Sequence, residues 1–367
     1  MTQREEIQKY LDQMKEVQKQ ILDFIENGDN LEEDQKNLIK FFDDKKIRQD
    51  KHELKATLRL IAQISNDHHR SPNLLAKIQQ VILIFKKDIQ HLFSNRQIFH
   101  IFRNSKRILL FLMEEKLINP DKSISSNIVN SKYPKACYSQ YFYPEFRSFL
   151  DSSLAPSNPQ SFDKLRKIGE NDDPICKIIR DDKVKEFSSY VQKNTISLSS
   201  TINPSIFETN SFLIDKTPTL IEYSAFCGSI EIFKYLTSHD VELTPSLWMY
   251  AIHGQNLDII HLLEEKKVSP EDESYKKCIV ESIKCHHPEI TNYIQNNLIS
   301  DPSKVDSHVL SHSIKFYNYA YFPANINNDF SIFYDLCKFD YFNLVQLLVK
   351  NTHLDINTRR ILKFKFF

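Results

Sequence analysis

The chain has 367 residues, in which 48 lysines and arginines balance 48 aspartates and glutamates. Such a balance leaves no global field to draw the protein to nucleic acid or an anionic membrane. Only four glycines occur (Gly28, Gly169, Gly228, Gly254), none beside another, which excludes the Gly-rich phosphate loops of P-loop and Rossmann proteins and the tight turns of hairpins, so an all-α fold is expected.

From Ile7 the residues Ile7, Tyr10, Met14, Val17, Ile21 and Phe24 step by three and four, the pattern of an amphipathic helix packing into a domain core. A second helix is expected from about Leu31 to Phe42, and a third opens at Asp50, with Glu53 at the reciprocal capping position. Ser71-Pro72 opens a fourth that carries Leu75, Ile78, Ile82, Phe85, Ile89 and Leu92. A fifth helical region follows Asn95, with a break expected at Asn104-Ser105 and a stop before Asn119-Pro120. Residues 1–119 are therefore read as an α-helical domain.

Residues 120–172 change character, with Pro120, Pro134, Pro144, Pro156 and Pro159 among serines, asparagines and tyrosines, and a continued helix is not expected. The aromatic run Tyr138 to Phe146 is expected to pack across this connector, with recruitment of a partner as the alternative.

From 173 onward the chain repeats. Thr217 to Val241 recurs as Thr244 to Val268 without a gap, aligning Thr217 with Thr244, Pro218 with Pro245, Tyr223 with Tyr250, Ile232 with Ile259 and Leu236 with Leu263. Thr-Pro is a helix opening, Ser224, Ala225 and Ala251 allow close backbone approach, and Gly228 and Gly254 fall where a first helix ends. Weaker copies lie at Ile178 to Phe187, Ser282 to Ile290 and Leu336 to Leu344, with a degenerate one around Ile314 to Phe322 and a polar insertion around Ile196 to Asn210. Five or six helix-turn-helix units, each burying its apolar face against its neighbours, are expected over 173–367.

The unit resembles an ankyrin repeat: Thr217-Pro218, the small pair Ser224-Ala225, Gly228, and the second helix Glu231-Ile232-Phe233-Lys234-Tyr235-Leu236 occupy the family's positions, and Leu354-Asp355-Ile356-Asn357 is similar to its finger. The units are shorter than the family's, and the histidine usual after Pro-Leu is missing. The wider layout, with Ile64 to Arg70, Phe93 to Phe102 and Ser205 to Leu213, is similar to ankyrin-repeat proteins of parasitic protists that carry a domain of unknown function before the repeats. The resemblance implies a helix-turn-helix solenoid and a protein-binding scaffold, with no catalytic motif to carry over. Such an array would continue past Asn357, so it is read as truncated, with Arg359 to Phe367 folding back over its last unit or attracting a partner.

A non-enzymatic interaction protein is therefore expected, without cofactor or metal. It would bind an unidentified protein through its concave face and loops at Phe226, His239, Asp240, Glu242, His253, Lys266, Lys267, Glu271 and Asp272. Trp248 is either an aromatic anchor there or a residue buried between helices. The alternative is a metal-dependent or thiol enzyme centred on Cys278, Cys285, His286, His287 and Glu289, since imidazole beside thiolate is a zinc-like donor set. No CxxC accompanies it, and His287-Pro288-Glu289 lacks the Pro-Cys-x-x-Cys of a deaminase. His68-His69 is read as a solvated pair in a polar connection. Six scattered cysteines and a start without an apolar signal core suggest an intracellular, cytoplasmic monomer, and no apolar run approaches the roughly 20 residues of a membrane span.

Overall fold

In the computed structural model, which describes residues 3–27, 31–129, 137–299, 306–322 and 330–351, the named elements are all helices. Among those residues one antiparallel bridge, Thr201 to Thr219, is the extended pairing. The apolar stripe from Ile7 to Phe24 is buried along α1 (Gln3–Asn27). After α2 (Leu31–Asp44), Asp50 caps α3 (Lys51–Asp67) by accepting from the backbone N–H groups of His52 and Glu53. Glu53 does not reciprocate as a capping box would; its carboxylate accepts from Gln13 of α1 at 3.0 Å. The fourth helix is two. α4 (Leu74–Ile84) ends where the N–H of Phe85 bonds back to Ile82, and α5 (Lys86–Leu92) restarts there. A capping box between Ser94 and Gln97 opens α6 (Asn95–Phe102), and α7 (Lys106–Glu114) follows a break at 103–105, where the sequence places one.

The connector holds short helices: α8 (Lys122–Val129), α9 (Cys137–Tyr141), α10 (Tyr143–Phe146) and α11 (Pro159–Ile168). Pro144 and Pro159 lie in the first turns of α10 and α11, where the missing N–H has no helical partner to lose, so the prolines shorten helices here without abolishing them. Tyr138, Tyr141, Phe142 and Phe146 are buried, so the aromatic run belongs to the interior. The Tyr141 hydroxyl donates to the carbonyl of Arg166 at 2.8 Å, and the buried Arg166 guanidinium pairs with Glu145 and Asp163.

Six helix pairs or partial pairs follow: α12 (Pro174–Arg180) with α13 (Val184–Asn194), α14 (Leu220–Cys227) with α15 (Ile230–Ser238), α16 (Leu247–Gly254) with α17 (Leu257–Glu265), and α18 (Lys276–Cys285) with α19 (Pro288–Asn297). Then come α20 (Asp306–Lys315), followed by a 3-10 turn at Tyr319–Tyr321, and α21 (Phe330–Lys338) with α22 (Phe342–Asn351). First helices touch in chain order, α12 on α14, α14 on α16, α16 on α18, α18 on α20 and α20 on α21, while α13, α15 and α17 form a second file.

Each first helix is closed by a residue of positive φ: Asp182, Gly228, Gln255, His286, Tyr317 and Asp340. Five of these positions are the ones that the repeat copies align, and Tyr317 falls in the degenerate unit. Neighbouring pairs are tied there. Asp182 accepts from the N–H groups of Glu231 and Ile232 at 3.0 and 2.9 Å, capping the next pair's second helix. Ser229 donates to the carbonyl of Ile179, Asn256 to that of Gly228 and Asn318 to that of Ile283. Gly254 has a different role from Gly228. It is the last residue of α16, and a Cβ there would collide with the carbonyl oxygen of Ala225 on α14, so its size sets the approach of two helices.

Thr217-Pro218 does not open α14. Thr219 does, with a capping box to Glu222, because the carbonyl of Pro218 accepts from Ile202 at 2.7 Å and holds the preceding residues extended. The insertion from Ile196 lies against the N-terminal half, with Lys106 donating to Ile206 at 3.0 Å and Thr209 to Gly169 at 2.6 Å.

Two clusters of buried apolar side chains make up the interior. One runs from Ile175 to Val309. The other joins Ile7 through Phe146 to Ile314, Tyr319, Phe322, Leu336, Tyr341, Leu344 and Leu348. The last helix pairs thus lend their apolar residues to the core of the N-terminal helices, with α1 and α3 touching α22. Gln18 of α1 seals the closure, donating to Asn318 at 2.9 Å and accepting from the Tyr319 N–H at 2.7 Å. The finger read at Leu354 to Asn357 and the apolar stretch Arg359 to Phe367 lie outside the described residues.

Candidate functional site

The connectors after α15 and α17 share a backbone shape, with Asp240 and Lys267 at φ 57° and 55° in equivalent positions. His239, Asp240, Glu242, Lys266, Lys267 and Glu271 are exposed there, and Asp272 is half-buried. His239 packs on Tyr235 with ring centroids 4.2 Å apart. Asp272 serves its own loop, accepting from Ser274 and from the Lys277 N–H, while Glu271 pairs with Lys277 at 3.3 Å.

Phe226 and His253, expected to face a partner, lie in the interior instead, and Trp248 takes the buried one of its two expected places. Phe226 is buried between Phe212 and His253, and Trp248, with no exposed surface, donates its indole N–H to Val268 at 2.6 Å. His253 is 1 % exposed. The physical reason is common to Phe226 and His253: their helices are sandwiched between their neighbours and the insertion, whose Phe212 stacks on both rings, on His253 at 4.1 Å.

His253 belongs to a buried polar junction between α3, α16 and α18. Glu281 and Cys285 lie one turn apart on α18, on the side facing the end of α16. The His253 Nε2 lies 2.7 Å from Glu281 Oε1, and its Nδ1 lies 3.4 Å from Cys285 Sγ. The three donor atoms fall within 4.8 Å of one another. Lys284 bridges Glu281 at 2.9 Å and Asp67 of α3 at 3.2 Å. Burial works against a charge on Glu281, yet the hydrogen bond from His253 and the Lys284 ammonium hold its carboxyl down at about 2. Burial opposes the Lys284 ammonium too, but Asp67 and Glu281 outweigh it and raise it. Burial, with Glu281 and Asp67 adding to it against Lys284, pushes the Cys285 thiol well up.

His68-His69 is part of this junction and not a solvated pair. His68 is buried, its Nδ1 donating to the carbonyl of Cys285 at 2.9 Å and its Nε2 3.0 Å from Glu26 of α1. His69 reaches the carbonyl of His253 at 3.3 Å. The residues weighed as a metal or thiol centre are divided. Cys278 is buried two turns back along α18, Glu289 is exposed, and His286 and His287 are buried at the turn after it. His287 stacks near His68 at 4.7 Å, and neither of its ring nitrogens has a hydrogen-bond partner.

The order carboxylate, imidazole, thiol is one in which the imidazole can take the thiol proton and leave a nucleophilic thiolate. Here it is closed: Cys285 has no exposed surface, and a nearby groove of about 440 Å³ is lined by His69, Gln255, His287 and Glu289 but not by Cys285. The signal for this cluster was the spacing of Glu281 and Cys285 by one helical turn. Nothing in the sequence ties His253 to them, because it belongs to the preceding pair.

No family model, curated protein or solved structure matches this chain. Among the described residues, no helix is long and apolar enough to cross a membrane.

Proposed function

We propose that the chain is a non-enzymatic scaffold of ankyrin-type helix pairs that binds another protein through the connectors after α15 and α17. The observation that carries this reading is the separation of labour in each repeat. Apolar residues and the positive-φ closures are consumed by stacking, while charged side chains on equivalent connectors, Asp240 and Glu242 on one, Lys266 and Lys267 on the next, remain exposed. Residues that a repeat does not need for packing are those free to specify a partner. The sealed state of Cys285 supports a binding role over thiol chemistry. In this reading the protein acts as a cytoplasmic monomer holding a second protein by charge and shape.

The test is affinity purification with the full chain beside a variant carrying Asp240→Lys, Glu242→Lys, Lys266→Glu and Lys267→Glu. A protein captured by the parent and lost from a variant that melts at the same temperature supports the reading. Equal recovery by both contradicts it.

A further inference from the structure

We infer that His253, Glu281 and Cys285 bind a divalent ion of the zinc class at the meeting of α16, α18 and α3, a structural site independent of the connectors proposed to hold a partner. Three observations point there. The donors are an imidazole, a carboxylate and a thiol within 4.8 Å, a borderline-soft set that suits zinc or cobalt and not magnesium or calcium. Cys285 Sγ lies 3.4 Å from His253 Nδ1, close to the edge of a tetrahedron built on bonds of about 2.0–2.3 Å, and Nδ1 is the ring nitrogen not taken by Glu281. Finally, His287, two residues beyond Cys285 and 1 % exposed, has both ring nitrogens without a partner. Buried polar atoms are normally satisfied, so the polar groups at this turn are not all paired within the protein.

Binding would displace the Cys285 thiol proton to solvent and leave the thiolate as the ligand. His253 Nε2 at 2.7 Å and Lys284 at 2.9 Å both compete for Glu281 Oε1, and Asp67 at 3.2 Å can hold Lys284 when Glu281 turns to the ion. Such an ion would fasten two consecutive helix pairs at the point where the N-terminal helices meet them, a place where metal binding and folding are coupled.

The experiment uses the full chain, purified without chelator. Zinc is measured by mass spectrometry on the parent, Cys285→Ser, His253→Gln and, as a control elsewhere on α18, Cys278→Ser; chelator-stripped protein is then titrated with cobalt(II). About one equivalent of metal in the parent and the control, with at least a tenfold loss of affinity in the other two and loss of the sulfur-to-cobalt charge-transfer band in Cys285→Ser, is expected. A folded parent that takes up neither metal, or a Cys285→Ser protein that binds as the parent does, overturns the site. Should the variants fail to fold, zinc-edge X-ray absorption of the parent decides: one sulfur among nitrogen and oxygen neighbours supports the assignment, and no sulfur, or two or more, overturns it.

Discussion

Trp248 shows how much one side chain does here. Its ring lies wholly inside, edge-on to Tyr275 at 5.0 Å, with the indole N–H donating to Val268. Trp248→Ala removes both the packed volume and a satisfied donor, and a loss of about 3–5 kcal/mol is expected in denaturant unfolding; an unchanged midpoint would contradict the packing. Glu53 makes a pH-dependent contribution. Burial, with Asp50 adding to it, raises its carboxyl to about 7 from the ordinary 4.5. A carboxyl whose folded value is raised keeps its proton longer in the folded state, so stability is lost as pH rises from 4.5 through about 7. Glu53→Gln keeps an acceptor for Gln13 without the charge. Thermal melts should show the variant equal to the parent at pH 4 and more stable by a degree or two, roughly, at pH 8.5. The reverse ordering at pH 8.5 would contradict the assignment.

At the scale of elements, the turn that closes each first helix is the feature that sequence registers best. Alignment offsets place Asp182, Gly228, Gln255, His286 and Asp340 in one column, all with positive φ, and the structure adds Tyr317 from the degenerate unit. Asp182 adds a cap across the pair boundary, so Asp182→Ala should cost about 1 kcal/mol and loosen the start of α15. Hydrogen exchange at residues 230–233 measures it, and unaltered exchange there would show the cap to be idle. Other boundaries are hidden for definable reasons. Apolar periodicity runs straight through Phe85, so one helix was expected where α4 and α5 meet. Thr217-Pro218 has the residues of a helix start, but a pairing with Ile202 displaces the cap to Thr219. The polar run around His68 reads as a solvated loop, because a junction between two parts of a chain buries polar residues that local sequence cannot pair. His253 and Cys285 were singled out for separate roles, and their meeting with Glu281 is hidden for the same reason. Cys278 and Cys285, seven apart, share a face yet stand two turns apart.

For the whole molecule, the row of pairs does not end in solvent: its last members close on α1 and α3. Lys55 and Arg59 of α3 pair with Asp340, and Gln18 joins α1 to Asn318 and Tyr319. Gln18→Leu strands two buried partners at about 1–3 kcal/mol each. It should speed exchange both in α1 and across 313–322, some 300 residues away; a change confined to α1 would deny the closure. With the last pairs so occupied, we propose that the outward connectors are the surface that takes a partner. The measurement that bears on this most directly is hydrogen exchange of the full chain alone and with the protein that co-purifies with it. Slower exchange concentrated at residues 239–246 and 266–275 is predicted. Protection falling on the N-terminal helices, with those connectors unchanged, would contradict it.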